Sequence, residues 1–318
     1  MGGDNIFHYD SVFLSCYQTV KHIHCGHSQT KKTKQAMTSP SKKLSFEFFP
    51  TRTPEGRAKQ VITRKQLRQF SPEFFSCTSG AGGSTRDGTM QTIGDILAEG
   101  TAAAPHLPCI GMLEDEVLSL LSQYKEMGVH RLIALRGDIP SGTGLATEGL
   151  RYAHELVSLV KTQFGSHFHI DVAAYPEYHP QAKNAADDVR HFAAKVKAGA
   201  DSAITQYFFN ADAYFHFVDE AAKAGADVPI VPGIIPIESF SKLVRFSETC
   251  GAEIPRWLRL KLDSFGDDTE SVRAFALDVV SEMCVRLLQG GAPGLHFYTL
   301  NRADLSAEIC RRVYGQGA

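Results

Sequence analysis

From residue 44 onward the chain repeats one pattern: a short run rich in β-branched and aromatic residues, then a longer stretch with apolar residues at helical spacing. Such alternation predicts parallel strands joined by helices, because parallel neighbours need a crossover of a dozen or more residues. Strand-like runs stand at 44–50, 74–79, 106–112, 131–138, 169–177, 202–208, 229–236 and 294–301, eight in all. The intervening segments 113–128, 185–199 and 211–225 each end on a glycine that can close a helix in the left-handed region. The runs are apolar enough to be buried on both faces, as strands covered by helices must be. Eight such units predict an α/β protein built as a (β/α)8 barrel over 41–318, a fold that uses about 250 residues as a single domain. A doubly wound sheet is the alternative, but it usually has fewer strands and a nucleotide-binding first turn. Between 236 and 294 there is room for extra helices, at 239–251 and 267–291, with the Trp257 segment between them.

The first 36 residues break this pattern, carrying Lys21, Lys31, Lys32 and Lys34 against Asp4 and Asp10 with no sustained period. Residues 1–40 are therefore expected to be a disordered extension, with Met37 as an alternative start. His22, His24, Cys25 and His27 crowd together there, but no second ligand group stands at a finger-like spacing, so no metal is expected. A net charge of -2 lacks the basic footprint that nucleic-acid binding requires. Seven cysteines, odd in number and without a CxxC pair, argue against a disulfide framework and suit reduced thiols in a cytoplasmic protein. No apolar run reaches the roughly 18 residues of a membrane helix, and no secretory signal opens the chain.

In a barrel of this kind the chemistry sits at the carboxyl ends of the strands. Polar residues recur there: Glu47, Thr78 with the glycine-rich 80–83, Arg136-Gly137-Asp138, the segment 175–179, Gln206, and Asn301-Arg302. Strand alternation sends Phe46 and Phe48 to one face and Ser45 and Glu47 to the other. With the phenylalanines against helices, Glu47 points into the barrel mouth, where desolvation disfavours the ionised form and suits a general acid. A buried glutamate paired with a barrel arginine is the equal alternative. Asp138 either caps the next helix or pairs with Arg136, or stands beside a flavin and opposes negative charge on it. The loop 80–88 permits close backbone approach to a ligand without being a dinucleotide fingerprint. His106 reads first as an interior histidine, 175–180 as a ligand wall or a proline-braced turn, and Asp188 and Lys195 as a polar helix face.

Taken in order, the segments 45–50, 78–87, 132–140, 173–180, 203–209, 232–236 and 296–302 closely resemble bacterial methylenetetrahydrofolate reductases, over about 44–315. The resemblance implies non-covalent FAD in the barrel and NADH, or NADPH, as hydride donor. It implies ping-pong reduction of 5,10-methylenetetrahydrofolate to 5-methyltetrahydrofolate, which supplies methyl groups for methionine synthesis. By position it makes Glu47 the acid that protonates nitrogen 10 of the folate, and Asp138 a contact of both flavin and pterin. Cofactor contacts are implied for Thr78, Ser79, Ala81, His106, Arg136, Gly137, Asp138, Ala153, Tyr175, His179, Ala182, Asp188, His191 and Lys195. Substrate contacts are implied for Asp138, Gln206, Lys242, Phe246 and Arg302. Departures occur where Ser79 replaces an expected tyrosine, Pro108 a threonine and Lys242 a glutamine, and at His191 and Ala194. A homo-oligomer, commonly a tetramer, is implied as well, and no carboxyl-terminal regulatory domain is expected. Two other readings remain: a flavin barrel resembling proline dehydrogenases, which has no need of an acid at Glu47, and a catalytically silent folate- or flavin-binding barrel. The intact set Glu47, Asp138 and Gln206 argues against the latter.

Overall fold

The computed structural model describes residues 43–79, 86–137 and 149–315. The extension expected over 1–40, Ala81 and Asp138 lie outside the described residues. Strands β1 (Lys43–Phe48), β2 (Phe74–Cys77), β3 (Ala103–Pro108), β4 (Arg131–Leu135), β5 (His169–Ala174) and β6 (Ser202–Thr205) run in sequence. The short β7 (Ile230–Val231) and β8 (Gly233–Ile234) follow, and β9 (Gly294–Tyr298) completes the set. The order β7-β6-β5-β4-β3-β2-β1-β9-β8, parallel at every pairing, makes a nearly closed barrel.

The expected seventh strand is thus split at Pro232. Its first half pairs with β6 and its second with β9, so one interrupted run joins the two ends of the sheet. Proline has no N–H for a ladder, which breaks the run at that residue, while the Pro232 carbonyl still accepts from the His296 amide at 3.0 Å. Gly233 is obligatory for packing: a Cβ there would lie 2.2 Å from the Thr205 carbonyl oxygen and 2.6 Å from the Tyr298 ring.

Helices α1 (Pro54–Arg68), α2 (Arg86–Ala98), α3 (Glu114–Glu126), α4 (Ala153–Phe164), α5 (Ala185–Lys197) and α6 (Ala211–Lys223) alternate with the strands. After β8 come α7 (Phe240–Cys250), α8 (Arg256–Ser264) and α9 (Thr269–Gln289), and α10 (Asp304–Tyr314) follows β9. The Trp257 segment, expected only as a connection, is itself the helix α8, with Leu258 and Leu262 buried one turn apart.

Strand alternation divides the core in two. Phe46 packs at 5.7 Å on Phe297, and Phe48 at 5.3 Å on Phe75, in the large layer between strands and helices. Burial of each such ring contributes about 1.5–3 kcal/mol. The opposite parity fills the barrel with a small cluster of Phe74, Ala104, Ile133, Ile204 and Val231. Below it lies a polar floor. Arg131 grips Asp171 with two bonds of 2.6 and 3.0 Å and reaches Glu73 at 2.9 Å, while the Ser202 hydroxyl donates to Asp171 at 2.5 Å.

Candidate active site

At the carboxyl ends of the strands two cavities adjoin. One, of about 360 Å³, includes Glu47, Thr78, His106, Gln206, Phe246, His296 and Tyr298 in its wall. The other, of about 460 Å³, includes Arg136, Gly137, Ala153, His179, Ala182, Asp188, His191 and Lys195. Leu135, Ala173 and Tyr175 line both, so the two share a wall along β4 and β5.

Glu47 enters the first cavity because β1 turns its phenylalanines outward. Its Oε2 lies 3.3 Å from Nε2 of His106 and 3.7 Å from Nε2 of His296. Both distances suit charge attraction, yet neither imidazole nitrogen makes a hydrogen bond. Ser76, in register beside Glu47, likewise has a buried hydroxyl without a partner. Among the described residues no arginine pairs with Glu47, so the alternative of an arginine-bound structural glutamate is set aside. Ser45 fixes the neighbouring ring, its Oγ standing 2.7 Å from Nδ1 of His296. Burial pushes the pKa of His106 down, with Glu47 opposing, so this ring favours its neutral form.

The end of β1 is clamped from β9. The Thr299 hydroxyl donates to the Glu47 carbonyl at 2.5 Å. Asn301 accepts from the Phe49 amide at 3.0 Å and donates to the Phe49 carbonyl at 2.9 Å. To do so Leu300 and Asn301 adopt φ of 52° and 58°, a left-handed conformation uncommon outside glycine. Gln60 of α1 also donates to the Phe49 carbonyl at 2.9 Å, and the fully buried Arg64 holds Gln60 at 2.8 Å. Across the cavity, the Tyr207 hydroxyl lies 3.0 Å from the Ser247 hydroxyl, tying α7 to the end of β6 beside Phe246.

The second cavity has its own buried charge. The Lys195 ammonium donates to the Ala173 carbonyl at 2.5 Å, and burial pushes its pKa down to about 8. Asp188 accepts from the His179 amide at 3.1 Å, while burial pushes its carboxyl up. Tyr175 and His179 meet edge to face at 4.6 Å. Gly137, with φ of 84°, leaves no room for a side chain, since a Cβ would stand 2.7 Å from that of Pro108.

A family model described as methylenetetrahydrofolate reductase matches residues 32–314. The chain belongs to that family. It is 40% identical over 271 residues to 5,10-methylenetetrahydrofolate reductase of Escherichia coli K12, covering 85% of this chain and 90% of that one. It is 36% identical over 267 residues to the enzyme of that name from Buchnera aphidicola of Schizaphis graminum, covering 84% and 90%. Among solved structures, a Clostridium thermocellum protein aligns with a TM-score of 0.59 at 18% identity, covering 86% of this chain and 94% of that one. A Pseudoalteromonas aurantia chitinase of the GH18 class aligns with a TM-score of 0.51 at 12% identity, covering 85% and 99%. At such identities the structural matches attest the barrel alone.

Within this chain, the residues singled out by sequence fall into three places. Thr78, His106, Gln206 and Phe246 join Glu47 in the first cavity. Arg136, Gly137, Ala153, His179, Ala182, Asp188, His191 and Lys195 gather in the second, with Tyr175 between. Asp188 and Lys195 therefore line a cavity wall, where a solvated helix face had been the default expectation. Lys242 and Arg302 line neither cavity, and both are bonded to Glu238. Ser79 also lines neither. His296, Tyr298 and Glu238 were missed. The alternation that aimed Glu47 inward applies equally to β9, where it would have turned His296 and Tyr298 to the same side.

Proposed function

We propose that the protein reduces 5,10-methylenetetrahydrofolate to 5-methyltetrahydrofolate, taking the hydride from NADH or NADPH through non-covalently bound FAD, with Glu47 as general acid. The single observation that carries this reading is the Glu47 carboxyl at the barrel mouth, flanked by two imidazole nitrogens that lack hydrogen bonds. Membership in the reductase family supports the reaction class, an oxidoreductase acting on a folate.

The second cavity suits a flavin dinucleotide in its chemistry. Arg136 and the buried Lys195 offer positive charge for a pyrophosphate, Asp188 and His179 offer polar contacts, and Gly137 brings backbone close where a side chain would collide. Thr78, His106 and Tyr175 would hold the part nearest Glu47, together with Ser79, Ala81 and Asp138 by family position. A flavin held there would supply hydride transfer between the nicotinamide and the folate, and the two substrates would then use one cavity in turn.

Glu47 holds the proton that the folate step consumes. As the bond between nitrogen 10 and the bridging methylene breaks, its electron pair stays on nitrogen 10 and takes the Glu47 proton. The methylene remains on nitrogen 5 as an iminium that a hydride can reduce. Ser45 fixes the His296 ring 3.7 Å from the carboxyl on one side, and on the other the neutral ring of His106 adds no positive charge beside it. Gln206 and Phe246 form the facing wall for pterin or nicotinamide, and Lys242 and Arg302, outside both cavities, meet the folate by family position. We take 41–318 as the catalytic unit, 1–40 as an appended extension, and the assembly as a homo-oligomer. The free cysteines Cys77, Cys109, Cys250, Cys284 and Cys310 agree with a cytoplasmic setting. No helix among the described residues is long and apolar enough to cross a membrane.

An anaerobic titration in two stages tests the reading. The purified protein should be yellow, NADH should bleach the flavin band, and 5,10-methylenetetrahydrofolate should restore it. Repeating the first stage with NADPH ranks the two donors. A colourless protein that FAD cannot reconstitute, or a bleached band that the folate leaves unchanged, would overturn it.

A further inference from the structure

Lys242 and Arg302, the two cations that the family resemblance makes substrate contacts, are already engaged, and the carboxylates of a folate all lie on its glutamate tail. Lys242 Nζ donates to one oxygen of Glu238 at 3.0 Å, and Arg302 Nη1 donates to the other oxygen. A single carboxylate therefore bridges both, in the arrangement a carboxylate of the substrate would need. Glu238 is 24% exposed against 50% for Lys242 and 54% for Arg302, so it sits beneath them while their outer faces stay open. Arg302 has a second, longer contact at 3.5 Å to Asp304, which Arg273 holds at 2.8 Å, so the cluster has three cations and two carboxylates.

The cluster adjoins the first cavity from two elements. Lys242 lies one helical turn before Phe246 on α7, and Phe246 lines that cavity. Arg302 directly follows the Thr299–Asn301 turn that clamps the strand of Glu47. Lys242 also stands where the family resemblance has glutamine. The added positive charge is cancelled by Glu238, so this chain carries an internal ion pair at a position where a neutral amide would need none.

We propose that Glu238 occupies the site of the substrate's glutamate carboxylate and must be displaced from Lys242 and Arg302 before the folate tail binds, which makes Glu238 a specificity-determining residue for the tail. The inference rests on the folate reading above. Its physical basis is exchange: an arriving carboxylate forms two ion pairs only as two others break, and the displaced Glu238 then repels it. Half-exposed pairs are individually weak, so exchange is feasible, and its balance depends on how many carboxylates the tail brings. A tail with one glutamate gains little over Glu238. A longer, more anionic tail competes better.

Equilibrium binding of 5-methyltetrahydrofolate to the full-length protein, followed by calorimetry with the monoglutamate and the pentaglutamate at low and high ionic strength, tests this. Glu238→Gln keeps the shape and removes the charge. It should tighten monoglutamate binding by roughly threefold to tenfold at low salt, with the gain shrinking when salt screens the cluster. The pentaglutamate should gain less. Lys242→Gln should weaken monoglutamate binding, because Glu238 then keeps Arg302 to itself. Unchanged or weaker binding by Glu238→Gln, or unaltered binding by Lys242→Gln, overturns the proposal while leaving the folate reading in place. If the unaltered protein binds neither folate, the folate reading itself fails.

Discussion

The floor and the mouth of the barrel are both polar, and they are satisfied to very different degrees. At the floor, Asp171 is fully buried and takes two bonds from Arg131 and one from Ser202, while Arg131 also lies 4.0 Å above the Phe74 ring. At the mouth, Ser76 Oγ, His106 Nε2 and His296 Nε2 are buried around Glu47 with no hydrogen bond. A buried polar atom left unpaired is unfavourable by about 1–3 kcal/mol, so native folds rarely gather several in one place. Complete pairing locks the floor and gives it a structural task. Incomplete pairing marks the mouth as the place where a ligand or a transferred proton completes the network.

Substitutions at the two ends should therefore fail in opposite ways. The largest expected effect is on turnover: Glu47→Gln should slow flavin reoxidation by methylenetetrahydrofolate by about 10²- to 10⁴-fold, the range of a lost general acid. Bleaching by NADH and the unfolding midpoint should stay near those of the unaltered protein. Equal damage to both half-reactions would make Glu47 one more structural carboxylate. Next comes Asp171→Ala, which leaves the buried Arg131 with only its bond to the part-exposed Glu73 and should cost about 3 kcal/mol in urea unfolding. A loss under about 1 kcal/mol would erase the distinction between floor and mouth. Asn301→Ala sits between the two cases. It removes two bonds to Phe49 and leaves a β-carbon in a left-handed turn, so a loss of roughly 1–3 kcal/mol is expected. Asn301→Asp, which keeps only the acceptor, should fall between. Since the clamp holds the strand of Glu47, the folate half-reaction should suffer more than the NADH half-reaction, and equal slowing would reduce the clamp to stability alone.

The sequence made the barrel legible because period-two and period-3.6 patterns alternate so regularly, and because parity along Ser45, Phe46, Glu47 and Phe48 leaves the carboxylate one direction to point. It did not reveal the break at Pro232, since the run 229–236 reads as one strand until the pairing partners on each side are known. The helix around Trp257 was hidden for a related reason: Leu258 and Leu262 are one turn apart, too short a stretch to establish a period. From its own residues His106 was legible only as an interior histidine, its cofactor role coming from the family resemblance, because Glu47 is 59 positions away in the chain and meets it across the intervening strand β2. Glu238 was invisible altogether. A glutamate at the start of a helix reads as a solvated charge, and only its placement between Lys242 and Arg302 gives it a function to perform.

The smallest expected effect is a pH dependence that separates the two ends once more. Burial lowers the pKa of His106 from its ordinary 6.5; the carboxylates of Glu47 and Asp171 raise it, and His296 lowers it further. Between the depressed folded value and 6.5, the unfolded chain binds a proton that the fold refuses, so stability rises with pH through that window. The contribution is present in full above 6.5 and is lost as pH falls through the folded value. His106→Asn removes this one titration and leaves the others in place. The difference in unfolding free energy between the unaltered protein and the variant should therefore grow as pH is raised from about 5.5 to 7, and flatten above that. His169 at the floor is also lowered by burial, with Arg131 adding to it, but its ring bonds to Ser202 at 2.7 Å and is partly exposed. His169→Asn should accordingly show a shallower slope over the same range. Equal slopes would mean that the mouth is no drier than the floor, and the contrast between the two ends would not extend to their histidines.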